Sequence, residues 1–199
     1  YILNVAPFTD EQIKEFLNVN MEISNEDYVD AIIKIAEGNP RIAYMAGRLA
    51  KAEQSLKAIN DATQLYESYY AKFLVSSAIT TDIDLCLTAS VISLLHTINL
   101  TDTKRLDSLL ERLNLNQDAF LKLIYRLCED EFVEIKLDKV ATISDQCLRN
   151  YMLYYAFCKK KLIPYSELLE IGFRSFRNGI VKATGILWNI FSSEEVHAY

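Results

Sequence analysis

Apolar residues recur along this chain with a helical period that gives way once to alternation. Thr9 and Gln12 form a Thr-x-x-Gln capping box, a pattern that satisfies open amides at a helix start. Ile13, Phe16 and Leu17 then mark one face. A second helix opens at Ser24, Asn25 or Asp27 and repeats Val29, Ile32, Ile33 and Ala36 at helical spacing. Gly38 ends it and Pro40 begins the next, which carries Ile42, Met45, Ala46 and Leu49. A longer helix is expected from about Ser55 to Val75. Three more follow from Thr80. The first carries Leu87, Val91, Leu94, Leu95 and Ile98, the second Leu106, Leu109, Leu110 and Leu113. The third starts at Asn116 and carries Phe120, Leu123, Ile124, Leu127 and Cys128. The period then drops to two. Val133, Ile135 and Leu137 alternate with Glu134 and Lys136, and Asp138-Lys139 turns the chain back into Val140 to Ile143. Helical spacing returns after Ser144-Asp145 with Leu148, Tyr151, Met152 and Tyr155, stops at Lys159-Lys160-Lys161, and resumes at Pro164. The last stretch runs from Phe173 to Phe191, and residues 1–5 read as a short strand or extended lead-in.

This pattern predicts a mainly α chain in three parts: a small helical bundle over 1–76, three helices plus a β-hairpin over 77–145, and a helical segment over 146–199. Three helices followed by a hairpin is the layout of a winged helix. Composition narrows the picture. Only 5 glycines and 3 prolines among 199 residues leave no room for long linkers or low-complexity segments. No apolar run approaches the roughly 20 residues of a membrane span. The start lacks the basic and small-residue features of a signal peptide. Cys86, Cys128, Cys147 and Cys158 form no Cys-x-x-Cys pair, and His96 and His197 lie far from zinc-ligand spacing. These features point to four buried thiols and a reduced, cytoplasmic protein without a metal site. The absence of an initial Met makes the chain read as part of a longer protein.

The most informative short segment is Gly38-Asn39-Pro40-Arg41. It stops one helix, turns, and starts another with a cation in its first turn. A cation there opposes the helix dipole. The arrangement makes sense if Arg41 and open helix amides together face an anion such as phosphate. The plainer alternative is a solvated arginine beside an ordinary turn.

The stretch Ile35-Ala36-Glu37-Gly38-Asn39-Pro40-Arg41-Ile42-Ala43, preceded by Phe8-Thr9-Asp10-Glu11-Gln12, resembles the helical lid of STAND-type and AAA-type P-loop ATPases. In that superfamily the lid follows the nucleotide-binding core and is often followed by a winged helix. Gly38, Asn39 and Pro40 match the Gly-x-Pro of STAND proteins, which the resemblance places near adenine and ribose. Arg41 matches a second sensor of the terminal phosphate. Ile143 to Tyr151 resembles the region after the winged helix in bacterial STAND ATPases, some associated with anti-phage defence. The resemblance covers about residues 1–160. It implies ATP or ADP as cofactor in the full-length protein only, an upstream nucleotide-binding domain of the same chain as partner, homo-oligomeric assembly, and a role in defence or signalling. It departs from the family in two respects: no GxxxxGK[ST] loop occurs, and no apolar run ending in paired acids marks a metal-holding strand. The chain alone is therefore expected not to be an enzyme, with no catalytic or metal-ligating residues.

Two other readings remain open. The winged helix could bind DNA through its third helix. Residues 116–131, however, hold Lys122 and Arg126 against Asp118, Glu129, Asp130 and Glu131, and an acidic reader works against phosphate contact. The wing adds only Lys136 and Lys139. Alternatively, the chain is a helical protein-interaction scaffold. Charge is split along it. Residues 146–199 hold Arg149, Lys159, Lys160, Lys161, Arg174, Arg177 and Lys182 against four acidic groups, whereas the whole chain carries −6. Tyr151, Tyr154, Tyr155 and Phe157 surround one helix, as in a helix sandwiched between units. His96 reads as a core histidine.

Overall fold

The computed structural model describes residues 6–56, 59, 61–191 and 194–198, so the expected lead-in at 1–5 lies outside the described residues. The protein is mainly helical with one small sheet, and it divides into two compact units, residues 1–71 and 72–199.

In the first unit, side-chain caps set the helix starts. Thr9 and Gln12 form the reciprocal capping box of α1 (Asp10–Asn20). Asn25 accepts from the Tyr28 amide to open α2 (Glu26–Ala36), and Asn39 opens α3 (Pro40–Glu53). The apolar stripes meet in a core of Ile13, Leu17, Val29, Ile32 and Met45, each at most 1% exposed. Ala43, Ala46 and Ala50 keep the buried face of α3 shallow. Lys14 joins α1 to the start of α2 through Glu26 at 2.8 Å. The long helix expected from Ser55 begins later: α4 is Ala62–Ser76. Gln54 has a left-handed φ of 48° that closes α3, and Asp61 accepts from the Thr63 amide ahead of α4.

The second unit is built around α5 (Ile83–Leu95). Every residue from Leu85 to Leu94 is buried, so α5 is a central helix rather than an amphipathic one. It packs against α7 (Gln117–Glu129), α8 (Gln146–Leu153), α9 (Tyr165–Ile190) and strand β3 (Val140–Thr142). Its serines return their hydroxyls to the helix, Ser90 to the Leu87 carbonyl at 2.8 Å and Ser93 to the Ala89 carbonyl at 2.9 Å. The helix ends at Leu95 because His96 turns left-handed at φ 65°. Ile98, expected on that helix, lies instead in strand β1 (Ile98–Asn99). A short 3₁₀ turn (Lys104–Leu106) leads into α6 (Asp107–Arg112), and Asn116 caps α7 (Gln117–Glu129) through the Ala119 amide at 2.7 Å. The hairpin forms as β2 (Glu134–Lys136) and β3 (Val140–Thr142). β1 joins it antiparallel in the order β1-β3-β2, with Ile98 opposite Ala141 and Ile135 opposite the same alanine.

Asp145 caps α8 (Gln146–Leu153) through the Cys147 and Leu148 amides. The backbone then widens into a π-helical turn, Tyr154–Lys159, closed by the Lys160 amide on the Tyr155 carbonyl at 2.8 Å. Tyr151, Tyr154, Tyr155 and Phe157 are buried within the second unit, and Tyr154 stacks on Phe191 at 4.8 Å. Pro164 precedes α9 (Tyr165–Ile190), which buries Leu168, Ile180, Ala183 and Leu187 and is kinked at Phe176 (φ −132°, ψ 28°). A short helix, α10 (Glu194–Ala198), follows. Among the described residues no helix is long and apolar enough to cross a membrane.

Candidate functional site

The Gly38–Arg41 turn is held from both sides. Glu37 is left-handed at φ 46° and Gly38 follows at φ 79°. The Phe8 amide donates to the Gly38 carbonyl at 2.8 Å, and the Asn39 amide donates to the Ala36 carbonyl at 2.8 Å. A Cβ at position 38 would lie 2.7 Å from the Phe8 oxygen and 2.8 Å from the Pro7 Cβ. Glycine is therefore required twice, by torsion angle and by space. Asn39 accepts from the Arg41 amide at 2.9 Å and from the Ile42 amide at 3.3 Å. Pro40, between them, has no N–H.

This geometry revises one part of the anion argument. The first-turn amides expected to face a phosphate are taken up by Asn39, because an Asn at the N-cap carries its own acceptor into that position. What faces outward is the exposed Arg41 guanidinium. Its central carbon lies 5.7 Å from the Tyr44 ring and 5.6 Å from the Tyr69 ring. Two aromatic faces thus favour the cation where the helix dipole does not. The first turns of α1 and α2 hold Asp10, Glu11, Glu26 and Asp27, whereas that of α3 has no acid.

In the second unit, two of the four basic groups considered for DNA contact, Arg126 and Lys136, are paired with carboxylates. Arg126 on α7 meets Asp82 at 2.8 Å, and the same aspartate caps α5 through the Leu85 amide at 3.0 Å. Lys136 lies 3.5 Å from Glu134, which also accepts from Ser144. The Ser144 hydroxyl is the main reason the Glu134 carboxyl lies below its ordinary pKa. The hairpin tip is Leu137, 90% exposed.

Among the described residues, the groups that could act as nucleophile, base or ligand do not converge. All four cysteines are thiols rather than disulfides. Burial pushes the Cys86 thiol up to about 12, so it is neutral and unreactive near pH 7. His96 is half-buried at the end of α5 rather than in the core. Burial, and then Arg149 and Lys182, hold its imidazole below its ordinary value. His197 is exposed and its ring lies 5.1 Å from that of Trp188. Among the described residues no group of three or more His, Cys, Asp or Glu side chains could hold a metal ion.

The sequence reading missed one feature of the second unit. A cleft of about 450 Å³ opens between the segment that leaves β1 and the kink of α9. Arg105 lines one wall and Arg174 and Arg177 line the other. The latter two were legible only as part of a basic tail, and nothing in the sequence joined them to Arg105. Compared with known proteins, the chain matches no family model, no curated protein and no solved structure.

Proposed function

We propose that this chain is the regulatory part of a STAND- or AAA-type ATPase, in which residues 1–76 act as the helical lid and 77–145 as a winged helix. The observation that carries the reading is the Gly38–Arg41 turn. It fixes a helix start by torsion angle, close packing and an Asn cap, and it holds an exposed arginine over two tyrosine rings. That is a rigid mount for a charge that must meet a phosphate in one of two states. The order helix, strand, two helices, two strands, with β3 central in the sheet, supports the winged-helix assignment.

The mechanism is conformational. Arg41 would meet the terminal phosphate of ATP bound to a P-loop core elsewhere in the full-length protein, and would lack that contact with ADP. A ligand shifts an equilibrium only by its different affinity for the two states. Here that difference is one arginine–phosphate contact of roughly 1.5–3 kcal/mol. The winged helix packs on the core and holds the closed state, and its release links nucleotide state to signalling or defence. DNA reading by α7 is disfavoured, since Arg126 is engaged by Asp82 and the rest of α7 is acidic.

The open reading frame upstream of Tyr1 gives the first test. A GxxxxGK[ST] loop within about one domain length supports the reading, and its absence overturns it. In the full-length protein, Arg41→Ala is expected to weaken the preference for ATP over ADP by about tenfold or more. The same substitution should shift the stability of this chain by no more than about 2 kcal/mol, the scale of two exposed cation–π contacts. Unchanged nucleotide affinity, hydrolysis and assembly would remove the sensor role.

A further inference from the structure

The cleft at the kink of α9 has the chemistry of a binding site for a small phosphate ester, and we propose that it is one. It lies wholly in the second unit, so it stands apart from the lid reading.

Three observations converge. First, the charge is one-sided. Arg105, Arg174 and Arg177 line the cleft, and Asp102 is the one carboxylate among its lining residues. Among the described residues none of the three arginines forms an ion pair, although Arg112, Arg126, Lys14, Lys51 and Lys136 all do. Arginine forks match the oxygens of a phosphate. Arginines approaching from two separate segments can grip it from two sides.

Second, the backbone makes the cleft. α9 is 26 residues long and is broken once, at Phe176. No proline lies inside it, and the break falls beside Ser175, between Gly172 and Gly179. The break separates Arg174 from Arg177, and both line the cleft. A regular helix would carry residues three apart on one continuous surface without such an opening.

Third, the far side of the kink is anchored. Gly179 packs so closely on α5 that a Cβ there would lie 2.7 Å from the Leu94 carbonyl oxygen. Arg177 therefore extends from the anchored side of the kink. A volume of about 450 Å³ is within the usual range for small-ligand sites.

The lining also limits the ligand. Three arginines against one carboxylate leave an excess of two positive charges, suited to a phosphate dianion. Asp102 would repel a ligand that filled the cleft with negative charge, and it can instead accept from a hydroxyl. The class that fits is a phosphate monoester on a hydroxyl-bearing group.

The test is a titration of this chain, observed by amide and arginine side-chain NMR, with inorganic phosphate, ribose 5-phosphate and ribose as probes. Ribose 5-phosphate is expected to bind saturably, with shifts centred on residues 174–179 and Arg105, and more tightly than phosphate; ribose alone should not bind. Arg105→Gln and Arg174→Gln should each weaken ribose 5-phosphate binding about tenfold. Asp102→Asn should weaken it toward the affinity of phosphate, while Lys159→Gln, outside the cleft, should leave it unchanged. All four positions are exposed, so each variant is expected to keep its unfolding midpoint, which controls for loss of fold. Shifts that do not saturate, or that respond equally to Lys159→Gln, would overturn the proposal. So would binding of duplex DNA through the same arginines in preference to ribose 5-phosphate.

Discussion

Gly38 carries the densest set of constraints on any single residue of the first unit. Its φ of 79° costs an L side chain about 1–2 kcal/mol. Its missing Cβ admits the Phe8 carbonyl and the Pro7 side chain. Gly38→Ala is therefore expected to destabilise this chain by about 2 kcal/mol or more, read as a lower urea midpoint. Gly38→Asn separates the two causes. Asn tolerates the left-handed region but brings the same Cβ, so it should recover only the torsional part. If Gly38→Ala left the midpoint unmoved, the close packing described here would be wrong. At this scale the sequence was partly legible. Gly38 reads as a helix stop and Pro40 as a helix start from their chemistry alone. That Pro7 and Phe8 run back against Gly38 was not legible, because the contact joins residues some thirty positions apart. The signal for Asn39 was present, since Asn is a strong N-cap whose own side chain occupies the first-turn amides.

Elements with a strong period were legible, and short or wholly buried ones were not. The hairpin emerged from alternation, and its turn shows how tertiary pairing overrides local preference. Leu137 and Asp138 sit at φ 52° and 54°, and the Lys139 amide closes the turn on the Lys136 carbonyl at 3.0 Å. Two consecutive positive φ values suit Asn-Gly, not Leu-Asp. Replacing the pair, as Leu137→Asn with Asp138→Gly, is expected to stabilise the second unit by about 1 kcal/mol. It should raise the urea midpoint without changing the slope of the transition. A fall in the midpoint would mean that Leu137, although 90% exposed, makes a contact this geometry does not contain. β1 escaped detection because two residues cannot display a period. The complete burial of α5 escaped detection for the opposite reason. Its Thr and Ser residues look polar in sequence, yet Ser90 and Ser93 return their hydroxyls to carbonyls of their own helix and are buried with the rest.

At the scale of the whole molecule, the second unit buries Cys86, Cys147 and Cys158, and leaves Cys128 partly accessible. Alkylation followed by mass spectrometry should therefore label Cys128 first, with the other three following only as the second unit opens. With its pKa pushed to about 12, Cys86 holds about one thiolate in 10⁵ at pH 7, which adds a chemical barrier to the steric one. Labelling of Cys86 as fast as Cys128 in native buffer would contradict this burial. The sequence by itself determined what neighbours within a turn or two decide: helix starts at Thr9, Asn116 and Asp145, the stop at Gly38, the hairpin, the basic character of the last fifty-odd residues, and the lack of a P-loop. Tertiary structure alone decided what depends on distant partners. It paired Ile98 with Ala141, enclosed α5 on all sides, and set Arg105 across a cleft from Arg174 and Arg177. Capping and amphipathic period are written in residues a few positions apart, so a sequence displays them directly. Burial, strand pairing and the assembly of a charged cleft are set by chain segments that meet only after folding.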